Sequence, residues 1–314
     1  MAHEIENMLY VGEIPWHRLG VPFQEPPTIK EAILAAGLNW EVGTKELFTE
    51  DGQKVPSKAT YRTTDNKILG VVGPNYQPLQ NSEAFEFFEP FLASKEASIE
   101  TAGSLREGKR VWVMAKINKD PSVIVPKVDD KVDKYVLLSN SHDGTMAVRV
   151  GFTPIRVVCA NTMAFAIGHA GSQLMRIRHS GNVVDNLEKI REAMSLANQQ
   201  FEANAELFRE LSKRNINTED LEKYVKSVFA VKADDEDEGA GKRVMGDIVR
   251  LFEGGRGNDL EGVRGTYWAA YNAVSEYLQY ERGNDGQVRL DSLWFGQSAR
   301  LNKKALDIAL KQAA

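Results

Sequence analysis

The stretch Leu138–Met163, LSNSHDGTMAVRVGFTPIRVVCANTM, decides how the chain reads. Two segments with strand character flank a His-Asp-Gly turn. Tyr135–Ser139 and Met146–Pro154 are expected to form a hairpin closed by Ser141–Gly144, because Asp-Gly supplies the positive φ that tight hairpins need. Arg149 and Arg156 each sit inside an apolar strand context, AVRVGF and PIRVV. A guanidinium there must find a partner or a functional groove, since burying it alone is costly. From Arg156 to Ala166 the pattern begins as a strand and is expected to pass into a helix near Asn161-Thr162, which are good helix caps.

Working outward, the first part of the chain alternates short strands with short helices. Thr28–Gly37 reads as a helix with Thr28 as N-cap and Gly37 as its stop. Trp40–Phe48 and Ala59–Thr63 read as a hairpin around Glu50–Gly52, and Lys67–Val72 as a further strand. Asn81 is expected to cap a helix bearing Glu83 in its first turn. Ser98–Ser104 and Arg110–Ile117 form the next strand pair. In RVWVMAKI, Val111, Val113 and Ala115 face one side and Arg110, Trp112, Met114 and Lys116 the other. That second row is expected to meet either another protein layer or a nucleic-acid base. A last basic element is expected at Leu174–His179.

From Val183 the period changes to three and four residues, through Leu187, Ile190, Ala197, Phe201, Phe208 and Leu211. Helices are expected to continue through Lys242–Phe252, Thr266–Glu281 and Ser298–Gln312. The acidic run 233–241 (ADDEDEGAG) reads as a linker or mobile loop. The fold class expected is α+β. Residues 1–182 form an α+β domain, β-rich with hairpins and short helices, and residues 183–314 form a mainly helical region.

Charge is unevenly spread along these 314 residues of net charge −5. Residues 1–100 carry 8 basic and 15 acidic side chains, and residues 183–314 carry 19 and 23. Residues 101–182 reverse the balance with 12 and 6, a net of +6. An acidic protein with one basic third can still meet a polyanion there. Lys109, Arg110, Lys116, Arg149, Arg156, Arg176 and Arg178 are the candidate phosphate contacts. Trp112 and Phe152 are the candidate stacking rings, since single strands are held by cations together with flat side chains.

Other chemistries find less support. Gly254-Gly255-Arg256-Gly257 lacks the order of a phosphate-binding loop, and none of the five histidines has metal-ligand spacing. No cofactor is therefore expected. The one cysteine, Cys159, lies in an apolar run and reads as a small core residue. With no disulfide framework, signal-peptide pattern or long apolar run, the expectation is a cytoplasmic protein without a membrane partner. His142-Asp143 could be part of an acid/base pair, yet neighbours on a strand point to opposite faces, which favours a plain turn. A hydrolase-like enzyme using His17, from PWHRLG, with His142 and Asp143 stays open as an alternative. So does a modulator whose basic face binds an acidic host protein.

Six segments carry a resemblance: PWHRLG (15–20), YQPLQNSEAF (76–85), AGSLREGKRVWVMAKI (102–117), LSNSHDGT (138–145), TPIRVVCANTM (153–163) and GTYWAAYNAVSEYLQY (265–280). Through them the chain resembles the phage- and plasmid-associated DUF932 family, which has no established activity. That genetic setting implies DNA metabolism. By pattern, a β-sheet with a basic region and no cofactor also resembles ring-forming single-strand annealing proteins of the RAD52 type. The resemblance thus implies a homo-oligomer that binds single-stranded DNA and anneals it in recombination.

Overall fold

The protein is described from a computed structural model covering residues 5–12, 19–118, 122–156, 161–162, 175–187, 198–230, 238–283, 292–293 and 296–313. For 154–156, 161–162, 198–204 and 238–240 it describes the backbone alone. The fold is α+β, with strands and short helices toward the N-terminus and long helices toward the C-terminus. Two compact units divide the chain: Met1–Lys119, Tyr135–Phe152 and Gln173–Ala197 form the first, and Asp120–Lys134, Thr153–Ser172 and Asn198–Ala314 the second. The units interleave along the chain instead of meeting at residue 182.

In the first unit, β1 (Ile5–Val11) lies between β2 (Val21–Phe23), which it pairs in parallel, and β6 (Ala97–Leu105). Beyond β6 come β7 (Arg110–Ile117), β9 (Asp130–Ser141), β10 (Val148–Arg156) and β12 (Met175–Ile177). Sequence alternation assigns their faces. Val111, Val113 and Ala115 join Val136, Leu138, Val148, Val150 and Ile177 in one core. Ala32, Phe85, Phe87 and Phe88 of the short helices close that core. The first of these helices, α1 (Ile29–Ala35), carries the expected Thr28 cap, with Glu31 completing a capping box worth about 1 kcal/mol.

A second, three-stranded antiparallel sheet consists of β3 (Val42–Phe48), β4 (Lys54–Arg62) and β5 (Ile68–Val72). The next helix, α2 (Asn81–Glu86), starts one residue earlier than expected. Gln80 is its N-cap, with its N–H donating to the Glu83 carboxylate at 2.7 Å. The Gln80 side chain meanwhile pairs with Val42, accepting from its N–H at 2.8 Å and donating to its carbonyl at 3.1 Å. Asn81 instead enters the helix as a buried polar residue. A short helix α3 (Glu89–Ala93) follows.

In the second unit, β8 (Ser122–Val125) pairs with the beginning of β9, and β11 (Asn161–Thr162) with the end of β10. The helices are α4 (Asn198–Lys213), α5 (Thr218–Phe229), α6 (Glu238–Gly254), α7 (Tyr267–Glu276) and α8 (Gln297–Ala313). Every residue of α7 is buried, and the helix continues into a π-helical turn at Tyr277–Glu281. Its Trp268 donates from Nε1 to the buried carboxylate of Asp130 at 2.8 Å. Since α6 begins at Glu238, the last four residues of the expected acidic loop are helical; 231–237 lie outside the described residues.

The β6–β7 turn imposes a specific requirement. Gly108 has φ +86°, and a Cβ added there would run into Nη2 of Arg62. Arg62 cannot yield cheaply, because it holds Glu6 in a two-pronged ion pair at 2.9 and 2.8 Å. Gly108→Ala should therefore lower stability by about 1–3 kcal/mol. The midpoint of urea unfolding is the check.

Candidate functional site

The expected hairpin around His142 forms, but the imidazole faces inward. His142 is fully buried, with Trp40 packed edge-on at 5.5 Å between ring centroids. Its Nε2 lies 3.0 Å from Oδ1 of Asn81. The Nδ2 group of that asparagine donates to the carbonyls of Leu38 (3.2 Å) and Trp40 (3.1 Å), which fixes which end of the amide is oxygen. An amide oxygen only accepts, so His142 carries its proton on Nε2. Burial drives its pKa down from 6.5 to about 3, with the nearby His179 as a second cause, so the ring is neutral at physiological pH.

Asp143 points elsewhere. Its carboxylate accepts from the N–H of Thr145 at 3.0 Å and from the Thr145 hydroxyl at 2.6 Å, closing its own turn. Against this turn stands β5, so close that a Cβ on Gly70 would lie 2.5 Å from Cα of Asp143. The His142 carbonyl accepts from Thr60 at 2.6 Å, and its N–H donates to the Lys109 carbonyl at 2.8 Å. The two side chains of the expected acid/base pair are thus engaged separately. His17 and Cys159 lie outside the described residues.

The basic residues take three kinds of position. Arg149 and Arg176 sit directly opposite each other across the β10–β12 ladder. Their neighbours Val148, Val150 and Ile177 are in the core, so both guanidinium groups belong to the other face of the sheet. Arg176 and Arg178 are exposed, and among the described residues neither makes an ion pair; Arg149 is half-buried. Lys109, Arg110 and Lys116 are also half-buried, and Nη2 of Arg110 lies 3.5 Å from the Thr145 hydroxyl. The backbone of Arg156 ends β10, while its side chain lies outside the described set.

Of the two stacking residues, Trp112 needs correcting. Trp112 is 1 % exposed and Met114 is buried as well, so the middle of the row on β7 is covered and the Trp112 ring is closed to a base. Phe152 is half-buried and packs against the core. A different aromatic stands at the end of β12. Tyr76 stacks on His179 with centroids 4.5 Å apart and planes 24° from parallel. Its hydroxyl donates to the Ser141 carbonyl at 2.8 Å. His179 Nδ1 lies 3.1 Å from the Gln77 carbonyl and so carries the proton, while the Gln77 N–H returns a bond to the His179 carbonyl at 2.8 Å. Burial raises the Tyr76 pKa and lowers that of His179, which leaves both rings neutral. The available signal for Tyr76 was an aromatic inside the polar loop GPNYQP (73–78).

Among the described residues no group of three or more His, Cys, Asp or Glu could hold a metal ion, and no helix is long and apolar enough to cross a membrane.

Fold and site together define an α+β protein with arginines opposed at one end of a sheet. Residues 68–306 match the model of a family described as a domain of unknown function, DUF932, and the chain belongs to that family. No curated protein and no solved structure matches it.

The depressed pKa of His142 fixes a pH dependence. A histidine whose folded pKa lies below its unfolded value takes up its proton more readily when unfolded. Stability should therefore fall as pH drops from about 6.5 toward 3, by at most about 1.4 kcal/mol for each pH step of one through that window. The urea midpoint followed across the same range should slope steeply for the native protein. In His142→Gln, which cannot titrate, the slope should be shallower.

Proposed function

We propose that this protein binds single-stranded nucleic acid along the β10–β12 edge, with Arg149, Arg176 and Arg178 as its principal phosphate contacts. The observation that carries the reading is the direct opposition of Arg149 and Arg176. Like charges facing each other across a strand pair cost stability, by roughly 0.2–1 kcal/mol. An anion seated against the exposed Arg176 reverses that sign, and two oxygens of a phosphate can accept parallel bonds from the planar fork of arginine. Arg178 extends the cationic line past the end of the strand, in the part of the sequence that carries +6. Successive cations at strand spacing suit a flexible polyanion.

Arg110, Lys109 and Lys116 are outer contacts in this proposal, and Arg156 continues β10. Annealing of complementary strands and self-assembly are the finer parts of the same reading. They call for more than one strand-binding edge to act together.

The test is fluorescence anisotropy with a labelled oligo-dT over a range of salt concentrations. The double variant R176Q/R178Q should bind more weakly, and each lost contact should flatten the slope of log affinity against log salt by roughly 0.7. Affinity and slope unchanged in the folded variant, or no binding by the native chain, would sink the proposal. A light-scattering mass taken with and without the oligonucleotide checks self-assembly. Binding of an acidic protein that ignores the oligonucleotide would instead favour the modulator.

A further inference from the structure

We infer that Tyr76, backed by His179, is a stacking surface for an unpaired nucleobase at the end of β12; this deepens the nucleic-acid reading and rests on it. Three restraints hold the ring before any ligand arrives. The hydroxyl is tied to the Ser141 carbonyl at 2.8 Å, one face lies on the His179 ring, and the Gln77–His179 backbone bond binds the loop to the strand end. Such a ring loses little freedom when a base is placed on it, which is what makes an aromatic platform effective.

The surroundings favour a base over other ligands. The loop around Tyr76 is open, with Gly73, Pro74, Asn75 and Gln77 exposed, while Tyr76 itself is half-buried. Arg178 directly precedes His179 in the chain and is exposed, whereas the His179 ring is buried. The carboxylate of Asp143 is near enough for its charge to act on the Tyr76 hydroxyl. It repels a phosphate and tolerates a neutral base. Both rings being neutral, the contact is one of π-faces and apolar area, indifferent to which base is present.

The experiment compares oligo-dT with an oligomer of equal length made of abasic residues, using the full chain. The native protein should prefer oligo-dT by roughly tenfold, the scale of one stacked base. Tyr76→Leu should erase that preference and leave the salt slope intact, whereas Tyr76→Phe, which keeps the ring, should retain it. A preference that survives in Y76L overturns this inference while leaving the phosphate contacts standing. No binding of either oligomer by the native chain overturns both. Photocrosslinking of the native protein to an oligonucleotide carrying 5-iodouracil needs no variant to fold. The adduct should map to Tyr76, and one that maps only to Phe152 or elsewhere overturns the inference.

Discussion

The first unit depends on the guanidinium of Arg62. It lies at the end of β4, only 11 % exposed at the side chain, and grips Glu6 on β1 with two parallel hydrogen bonds. It also donates to the Glu107 carbonyl at 2.8 Å and lies 4.7 Å over the Trp40 ring. One cation thereby joins the small sheet to the first strand of the large one and to the β6–β7 turn. Without Glu6 the guanidinium would keep, among the described residues, only the Asp65 carboxylate, 3.8 Å away, as a counterion. From Trp40 the contacts run on to His142 and Asn81, so the polar groups inside this unit form a chain, each member oriented by the one before.

That chain explains why the histidine of the His-Asp-Gly turn is structural. A catalytic imidazole must exchange protons with a substrate, and this one is sealed, neutral and committed through Nε2 to an amide oxygen. The turn is instead a bearing surface. Gly70 allows β5 to approach its backbone directly, and the Thr60 hydroxyl secures the His142 carbonyl.

Local pattern in the sequence carried much of this fold and stopped where partners became distant. Thr28 and Gly37 stand at the two ends of one helix, so their spacing was enough to place α1. Alternation in RVWVMAKI sorted the β7 side chains by face. It could not tell that Trp112 and Met114 are covered, because a period of two reports orientation and not what lies above it. Asn81 fits the local rule for a cap, yet its amide is claimed by the carbonyls of Leu38 and Trp40, some forty residues earlier. The opposition of Arg149 and Arg176 depends on the register of two strands far apart in sequence, which no local pattern encodes. Tyr76 and His179 are separated further still, and only the folded chain brings their rings together.

The fixed tautomer of His142 also makes the molecule its own reporter. Its Nε2 proton is held against an amide oxygen beneath Trp40 and away from water, so it exchanges only when this part of the unit opens. A ring proton of that kind gives a resolved, slowly exchanging NMR signal. Its lifetime measures local opening at the joint between the two sheets, separately from global unfolding, and without a label or a substitution.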